Sequence, residues 1–339
     1  MPPAAGLPPW AGADVGPVRA ALAQFAAAHA GLGAADQPVA LAFSGGADST
    51  ALLVAALQFW GPQRVRALHV HHGLQAAADD FAAHASALCR AWEVPLSVLP
   101  VRVAPQSGDS LEDLARQARY AALGAAARDQ RCAWLLLAHQ ADDQAESLLL
   151  ALLRGAGPKG LAAMPRAVQR HGVWLGRPLL ELGAARLREL LDAAGVAYLR
   201  DPMNDDPAFR RSRIRHELLP VIARLEPGWA RTLSRSAALC ALAAQGVEAQ
   251  AGADLEACTA ASSPPDLSLR ALRELPAARR AEVLRAWLGR AGVRSNAAQL
   301  ANLCRQIEAS ALGAARLRVD LASARVQRRG SLLQLAPRL

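Results

Sequence analysis

Apolar positions recur along this chain in two rhythms. Short, largely apolar runs at 39–43, 65–69, 96–101 and 134–138 alternate with segments of helical periodicity at 51–57, 76–92, 110–128 and 142–153. The short runs read as buried strands and the longer stretches as helices packed on them. Alternation at this spacing predicts an α/β fold with a doubly wound, Rossmann-like parallel sheet, whose ligands sit beyond the carboxyl ends of its strands. A helix is expected at 17–30, a further strand at 173–180 and a helix at 184–194 closed by Gly195. The Ala/Pro/Gly-rich segment 1–16 reads as a disordered tail, 155–165 as a loop too irregular for helix or strand, and 201–207 as a turn-rich connection. After 220–227 the texture becomes helical, at 229–252, 268–290 and 296–309. Two alternating runs, 315–321 and 324–328, then predict a small terminal hairpin. The expected organisation is a catalytic domain over 17–222 and a mainly helical domain over 223–339.

At 339 residues and 53% hydrophobic, the chain is long enough for two domains with real cores. No apolar run approaches the roughly 18 residues of a membrane span, and the start lacks the basic n-region of a signal peptide, so a cytoplasmic protein without membrane association is expected. Five cysteines, odd in number and never spaced Cys-x-x-Cys, argue against a disulfide frame, a zinc ribbon or a clustered iron–sulfur site. The formal charge of +9 is uneven: residues 1–200 carry 17 basic and 16 acidic side chains, residues 201–339 carry 21 and 13. Catalysis in the first part and polyanion binding in the second fits that division, as does a plain bias toward arginine on a solvated surface.

The strand at 39–43 runs into Ser44-Gly45-Gly46-Ala47-Asp48-Ser49-Thr50 and then a helix. Glycines let a bound group approach backbone N–H groups, the hydroxyls add donors, and the helix N-terminus adds partial positive charge, so the turn suits an anion such as phosphate. It is no Walker A loop, since the only lysine is Lys159. Mg²⁺ on Asp48 is expected to neutralise the phosphates instead. His71 and His72 follow the second strand, where nucleotide contact fits better than zinc. His139 closes the fourth strand, and with Asp142 capping the next helix, Asp143 and Glu146 share one face. That pair suits an ammonium group or Mg²⁺, or simply complements the helix dipole. Glu112 and Arg116 are spaced as a surface pair, although Arg116 or Arg119 can reach a phosphate. The basic run from Arg210 to His216 reads either as a phosphate or RNA clamp or as a solvated helix start.

Ser-Gly-Gly-Xaa-Asp-Ser resembles the pyrophosphate loop of the N-type ATP pyrophosphatases. Taken in order, that loop, His71 to Leu74, Glu112 to Tyr120, His139 to Glu146, Arg154 to Met164, Arg177 to Leu180, Asp201 to Asn204 and Arg211 to Pro220 resemble one family, tRNA(Ile)-lysidine synthetase. The resemblance covers about half the chain. It implies that ATP adenylates the C2 oxygen of the first anticodon cytidine in a CAU-bearing isoleucine tRNA, after which the ε-amine of free L-lysine displaces AMP. It further implies ATP contacts at Ser44, Gly45, Gly46, Ala47, Asp48, Ser49, His71 and His139, and lysine contacts at Asp143 and Glu146. Arg116 is assigned to ATP or the adenylated intermediate, and Arg211 or Arg215 to phosphate charge in the transition state. Arg154, Gly155, Gly157, Lys159, Arg210 and Arg213 are assigned to the RNA. Gln140 stands where many members carry histidine, and no role is assigned to it. The chain reads as a short form without a further acceptor-arm domain, with monomer and homodimer both open. The rival readings are a cytidine thiolase, disfavoured by the cysteine spacing, an amidating ligase without its glutaminase, and a catalytically silent RNA-binding protein.

Overall fold

The computed structural model describes residues 8, 10–32, 37–71, 77–101, 111–200, 210–260, 266–310, 317–321 and 323–337. His72 to Leu74 and the connection at 201–207 lie outside them, as do the side chains of Glu112 and Asp113. The chain divides into two compact units, Met1–Ala241 and Leu242–Leu339.

A six-stranded sheet organises the first unit: β1 (Val39–Ala42), β2 (Val65–His71), β3 (Leu96–Pro100), β4 (Trp134–Leu136), β5 (Ala167–Arg170) and β6 (Val173–Gly176), in the order β3-β2-β1-β4-β6-β5. Every pairing is parallel except that of β5 with β6. Its helices are α1 (Gly16–Ala28), α2 (Ala47–Trp60), α3 (Ala77–Ala91), α4 (Leu111–Asp129), α5 (Ala141–Leu152), α6 (Pro158–Leu161) and α7 (Ala184–Ala193). Period-2 alternation sends Val39, Leu41, Trp134 and Leu136 into one core with α1, α2 and α7, and Ala40, Leu135 and Leu137 into another with Leu123 and Ala127 of α4. Covered on both faces, the strands read as continuous apolar runs. β1 has β2 on one side and β4 on the other, so chain order reverses there and a crevice opens beyond their carboxyl ends.

Several expectations need correction. The strand expected over 173–180 stops at Gly176, where a Cβ would stand 2.7 Å from Leu136 Cδ2 and 2.8 Å from Phe25 Cε1. Its antiparallel neighbour β5 was not expected, because Gln169 and Arg170 make it a half-polar edge. The irregular loop 155–165 contains one helical turn, α6, started by Pro158 at N1. From Trp10 onward the supposed tail is held: Gln58 Nε2 donates to the carbonyls of Trp10 and Ala13, both at 2.8 Å, and Val15 is fully buried.

The basic run enters α8 (Arg210–Arg213), a π turn (Ile214–Leu218) and α9 (Leu219–Leu225). The Leu219 N–H donates to the Ile214 carbonyl, five residues back. Pro220 follows, with no N–H to give and a ring that crowds the preceding turn, and the wider π turn accommodates it. The long helix α10 (Trp229–Cys258) runs through the division between the units.

In the second unit, β7 (Leu267–Ser268), α11 (Leu269–Glu274), α12 (Ala277–Arg290) and α13 (Ala297–Ala309) precede β8 (Arg318–Asp320), β9 (Ala324–Arg329) and β10 (Leu332–Pro337). The helix expected over 268–290 is broken at Pro276, which caps α12. The expected hairpin is part of a four-stranded antiparallel sheet, β7-β10-β9-β8. Leu267, Leu284, Leu303, Val326 and Leu333 meet in its own core. Among the described residues, no helix is long and apolar enough to cross a membrane.

Candidate active site

β1 ends in Phe43, and the chain turns through Ser44, Gly45 and Gly46 into α2. Gly45 has φ +85° and Gly46 caps the helix without a side-chain bond, so the first N–H groups of α2 face outward uncapped. The hydroxyls brace the turn: Ser49 Oγ donates to the Gly46 carbonyl at 2.9 Å, stands 3.0 Å from Ser44 Oγ, and accepts from the Ser44 N–H at 3.2 Å. Leu199 N–H donates to the Gly45 carbonyl at 2.9 Å, tying the turn to the segment after α7. A Cβ on Gly45 would meet His84 Cδ2 at 3.4 Å, so the imidazole of α3 lies against the loop. Its Nε2 is buried without a partner, and nothing in the sequence pattern singled it out.

One strand over, β4 delivers His139 and the start of α5. Gln140, not Asp142, caps this helix: its Oε1 accepts from the N–H groups of Asp142 at 2.5 Å and Asp143 at 3.3 Å, while Asp143 Oδ2 accepts from the Gln140 N–H at 3.2 Å. Gln140 and Asp143 stand three apart, the spacing of a capping box, and that was the signal available in the sequence. Asp142 instead accepts from the Ala184 N–H at 2.9 Å and anchors α7.

Asp143 and Glu146 do share a face, and Arg211 and Arg215 close over it. The Glu146 side chain is 0% exposed, with Oε2 accepting from Arg211 Nε at 2.9 Å and Oε1 from Arg215 Nε at 2.6 Å. Arg215 Nη2 lies 3.6 Å from Asp143 Oδ1, and Arg211 Nη2 also donates to Ser147 Oγ at 2.7 Å. The π turn carries Arg215 while α8 carries Arg211, and together they bracket one carboxylate. Burial pushes the Asp143 carboxyl up against the pull of Arg211 and the Gln140 N–H. It raises Glu146 against the bond from Arg215 in the same way.

Asp48 couples the two halves. Burial, then the charge of Asp143, raises its carboxyl from 3.8 to about 7, with Arg188 and Arg215 opposing. Two carboxylates that repel across the β1/β4 crevice suit a cation between them. Among the described residues no group of three or more His, Cys, Asp or Glu side chains forms a metal cage. That donor set suits Mg²⁺, which is commonly held by one or two carboxylates with phosphates and water supplying the rest.

His139 is buried at Nδ1 without a partner, and burial followed by Arg177, Arg116, Arg119 and Arg211 drives its pKa well below 6.5. It is a neutral imidazole in cationic surroundings. Arg116 stacks on Tyr120 close by. His71 lies at the carboxyl end of β2 with Nε2 2.9 Å from Asp79 Oδ1. The residues expected to meet RNA are not drawn into this cluster. Arg154, Gly155 and Gly157 follow the far end of α5, about 14 Å along the axis from Asp143 at 1.5 Å per residue. Lys159 sits on α6, Arg210 is exposed, and Arg213 pairs with Glu217 at 3.1 Å.

Comparison with known proteins bears on the chain as a whole. The PP-loop domain family matches residues 18–222, and the TilS substrate binding domain family matches 267–332. A tRNA(Ile)-lysidine synthase of Polaromonas naphthalenivorans is 43% identical over 296 residues, covering 87% of this chain and 88% of its own. That of Bordetella parapertussis is 41% identical, covering 83% and 84%. Among solved structures, the U34-tRNA thiolase NcsA of Methanococcus maripaludis has a TM-score of 0.54 at 16% identity, over 65% of this chain and 77% of that one, a likeness of fold. Identity above 40% across more than four fifths of both chains, carried by one domain with the pyrophosphate loop and another for substrate, makes this chain a member of the tRNA(Ile)-lysidine synthase family.

Proposed function

We propose that the chain forms lysidine on an isoleucine tRNA with a CAU anticodon. ATP adenylates the C2 oxygen of the first anticodon cytidine, and the ε-amine of free lysine then displaces AMP. The observation that carries this reading is the coupling of Asp48 in the phosphate turn to Asp143 at the head of α5. That coupling supports reading a nucleotide site and an ammonium site as neighbours at the β1/β4 crevice.

The uncapped start of α2, with Ser44, Gly45, Gly46, Ala47 and Ser49, takes the leaving pyrophosphate. Asp48 would hold Mg²⁺, which supplies charge neutralisation for the phosphates. A carbonyl oxygen is a poor leaving group until phosphorylated, so adenylation must come first. Lysine arrives protonated and attacks only as the free amine, so a base is needed. Asp143, 18% exposed and raised by burial, is the open carboxylate of the pair and a better proton acceptor than an ordinary one. Glu146 adds negative charge beneath the amine while both its oxygens fix the guanidinium groups. Arg211 and Arg215 keep N–H donors to spare for charge that develops on the α-phosphate. His139 and His71 flank the nucleotide, and Arg116 serves the nucleotide or its adenylate. Arg154, Gly155, Gly157, Lys159, Arg210 and Arg213 form the approach for the anticodon, and 223–339 is the tRNA-binding part. The chemistry needs tRNA, ATP and lysine together, which places it in the cytoplasm.

The test is transfer of labelled lysine, with ATP and Mg²⁺, onto a CAU isoleucine transcript beside a matched UAU transcript. Label on the first alone is expected. Pyrophosphate release without label on either would leave adenylation standing and remove lysine as the nucleophile.

A further inference from the structure

Beyond β4 the carboxyl edge of the sheet continues to β6, and three arginines meet there around one phenol. Arg116 Cζ lies 5.2 Å and Arg119 Cζ 5.6 Å from the centroid of the Tyr120 ring, and Arg116 Nη2 donates to Tyr120 Oη at 3.3 Å. Arg177, the first residue after β6, is 5% exposed; its Nη1 donates to the Pro165 carbonyl at 2.8 Å, but its Nε is buried with no partner. His139 Nδ1 is orphaned beside them. No carboxylate pairs with any of the three arginines among the described residues.

Arg280 in the second unit shows what a purely structural arginine looks like in this chain. It is equally buried, yet it pairs with Glu308 at 2.6 Å and donates to the carbonyls of Leu272 at 2.8 Å and Leu275 at 3.0 Å. In the first-unit cluster the three guanidinium groups share one neutral partner, the phenol of Tyr120, and Arg177 Nε is left without any. Arg116 and Arg119 are half-buried and Arg177 is buried, so their like charges repel with little water between them, and buried polar groups are normally bonded; both features ask for an anion. The mutual pressure reaches Arg119, whose pKa is lowered by burial and then by Arg116 and Arg211. β6 is two strands from β1, about 10 Å at the usual strand spacing, so the ligand is a different phosphate from the pair seated on the turn at Gly45 and Gly46.

We infer that Arg116, Arg119 and Arg177, gathered on Tyr120 with His139 alongside, form a second phosphate pocket of the active site. Planar guanidinium forks with spare donors suit a phosphate oxygen pair. The phosphate comes either from the RNA backbone beside the modified cytidine or from the α-phosphate of the nucleotide. The RNA arm rests on the lysidine-forming reading; lysine transfer by the unaltered enzyme tests that reading separately.

The experiment compares Arg119→Gln and Arg119→Lys with the wild-type chain in three measurements. These are affinity for the CAU transcript across a salt series, KM for ATP, and the melting temperature without ligands. R119Q is expected to fold with undiminished melting temperature, since one of three repelling charges is gone, and to lose phosphate binding in one arm. A backbone phosphate shows as about tenfold weaker RNA affinity with the salt slope reduced by about 0.7, and R119K restores the slope. A nucleotide phosphate shows as a KM for ATP raised about tenfold with the RNA slope unmoved. Unchanged RNA and ATP constants would overturn the pocket, as would a lowered melting temperature with both constants intact, which marks Arg119 as structural.

Discussion

Asp48 and Asp143 are the residues whose behaviour the structure constrains most tightly, because burial raises both carboxyls and the charge of Asp143 raises Asp48 further. Asp48 titrates near 7 in the folded chain and near 3.8 in the unfolded one, so between those values the native state holds a proton the unfolded chain has lost. Stability contributed by that proton is full below about pH 4 and falls as pH rises toward 7. Asp48→Asn is expected to flatten this dependence and to melt higher than wild type at pH 7 to 8, at about 1.4 kcal/mol for each pKa unit removed. Nucleotide with Mg²⁺ needs the ionised form, so ATP affinity should rise with pH through this window. Asp143→Asn removes the neighbouring charge and should move that rise to lower pH. The same variant should lose lysine transfer while still binding ATP. Titration of ATP binding between pH 5.5 and 8.5 checks the shift, and an unmoved profile, or an equal loss of ATP affinity, would uncouple the two carboxylates.

At the scale of elements, α5 carries the clearest lesson on what the sequence makes legible. Its existence, and the shared face of Asp143 and Glu146, follow from the apolar run of β4 and the 3.6-residue period after it. Its cap is masked by a competing signal, because Asp is the commoner N-cap and Asp142 stands two residues after Gln140, although the Gln140/Asp143 spacing was there to be read. The glutamine makes the helix start at Ala141 and frees Asp142 for α7. Gln140→Ala is therefore expected to cost about 1 kcal/mol of stability and, by loosening Asp143, to lower lysine transfer more than ATP binding. Denaturant unfolding alongside lysine transfer and ATP binding measures both effects. The long-range pairings were beyond reach for another reason. Nothing local in Arg211, Arg215 or Arg177 says which carboxylate or phenol lies opposite, since those contacts span 57 or more positions and exist only once the sheet is closed. Likewise β5 and β7 are too short or too polar to rise above the surrounding pattern, while β1, β2 and β4 are read directly from burial on both faces.

For the whole molecule the uneven charge acquires a structural reading in the second unit. Many of its arginines are committed to acids: Arg270 to Glu274, Arg279 to Asp254, Arg280 to Glu308, Arg285 to Glu282 and Arg325 to Asp320. Arg290, Arg294, Arg305, Arg318 and Arg329 are exposed and have no acidic partner among the described residues. The excess positive charge of 201–339 thus resides partly in side chains free to neutralise phosphates, within or near the stretch matched as a substrate binding domain. Each phosphate so contacted releases counterion and contributes about 0.9 to the slope of log affinity against log salt. If all five act, changing them together to glutamine should lower the slope for the CAU transcript by up to about 4.5 and raise KM for tRNA. KM for ATP and lysine should stay in place, because the pyrophosphate turn and the acidic pair belong to the other unit. A slope that survives the fivefold change would move the RNA surface to the first unit, onto Arg154, Lys159 and Arg210. A slope near zero in the unaltered chain would remove phosphate contacts as the source of affinity altogether.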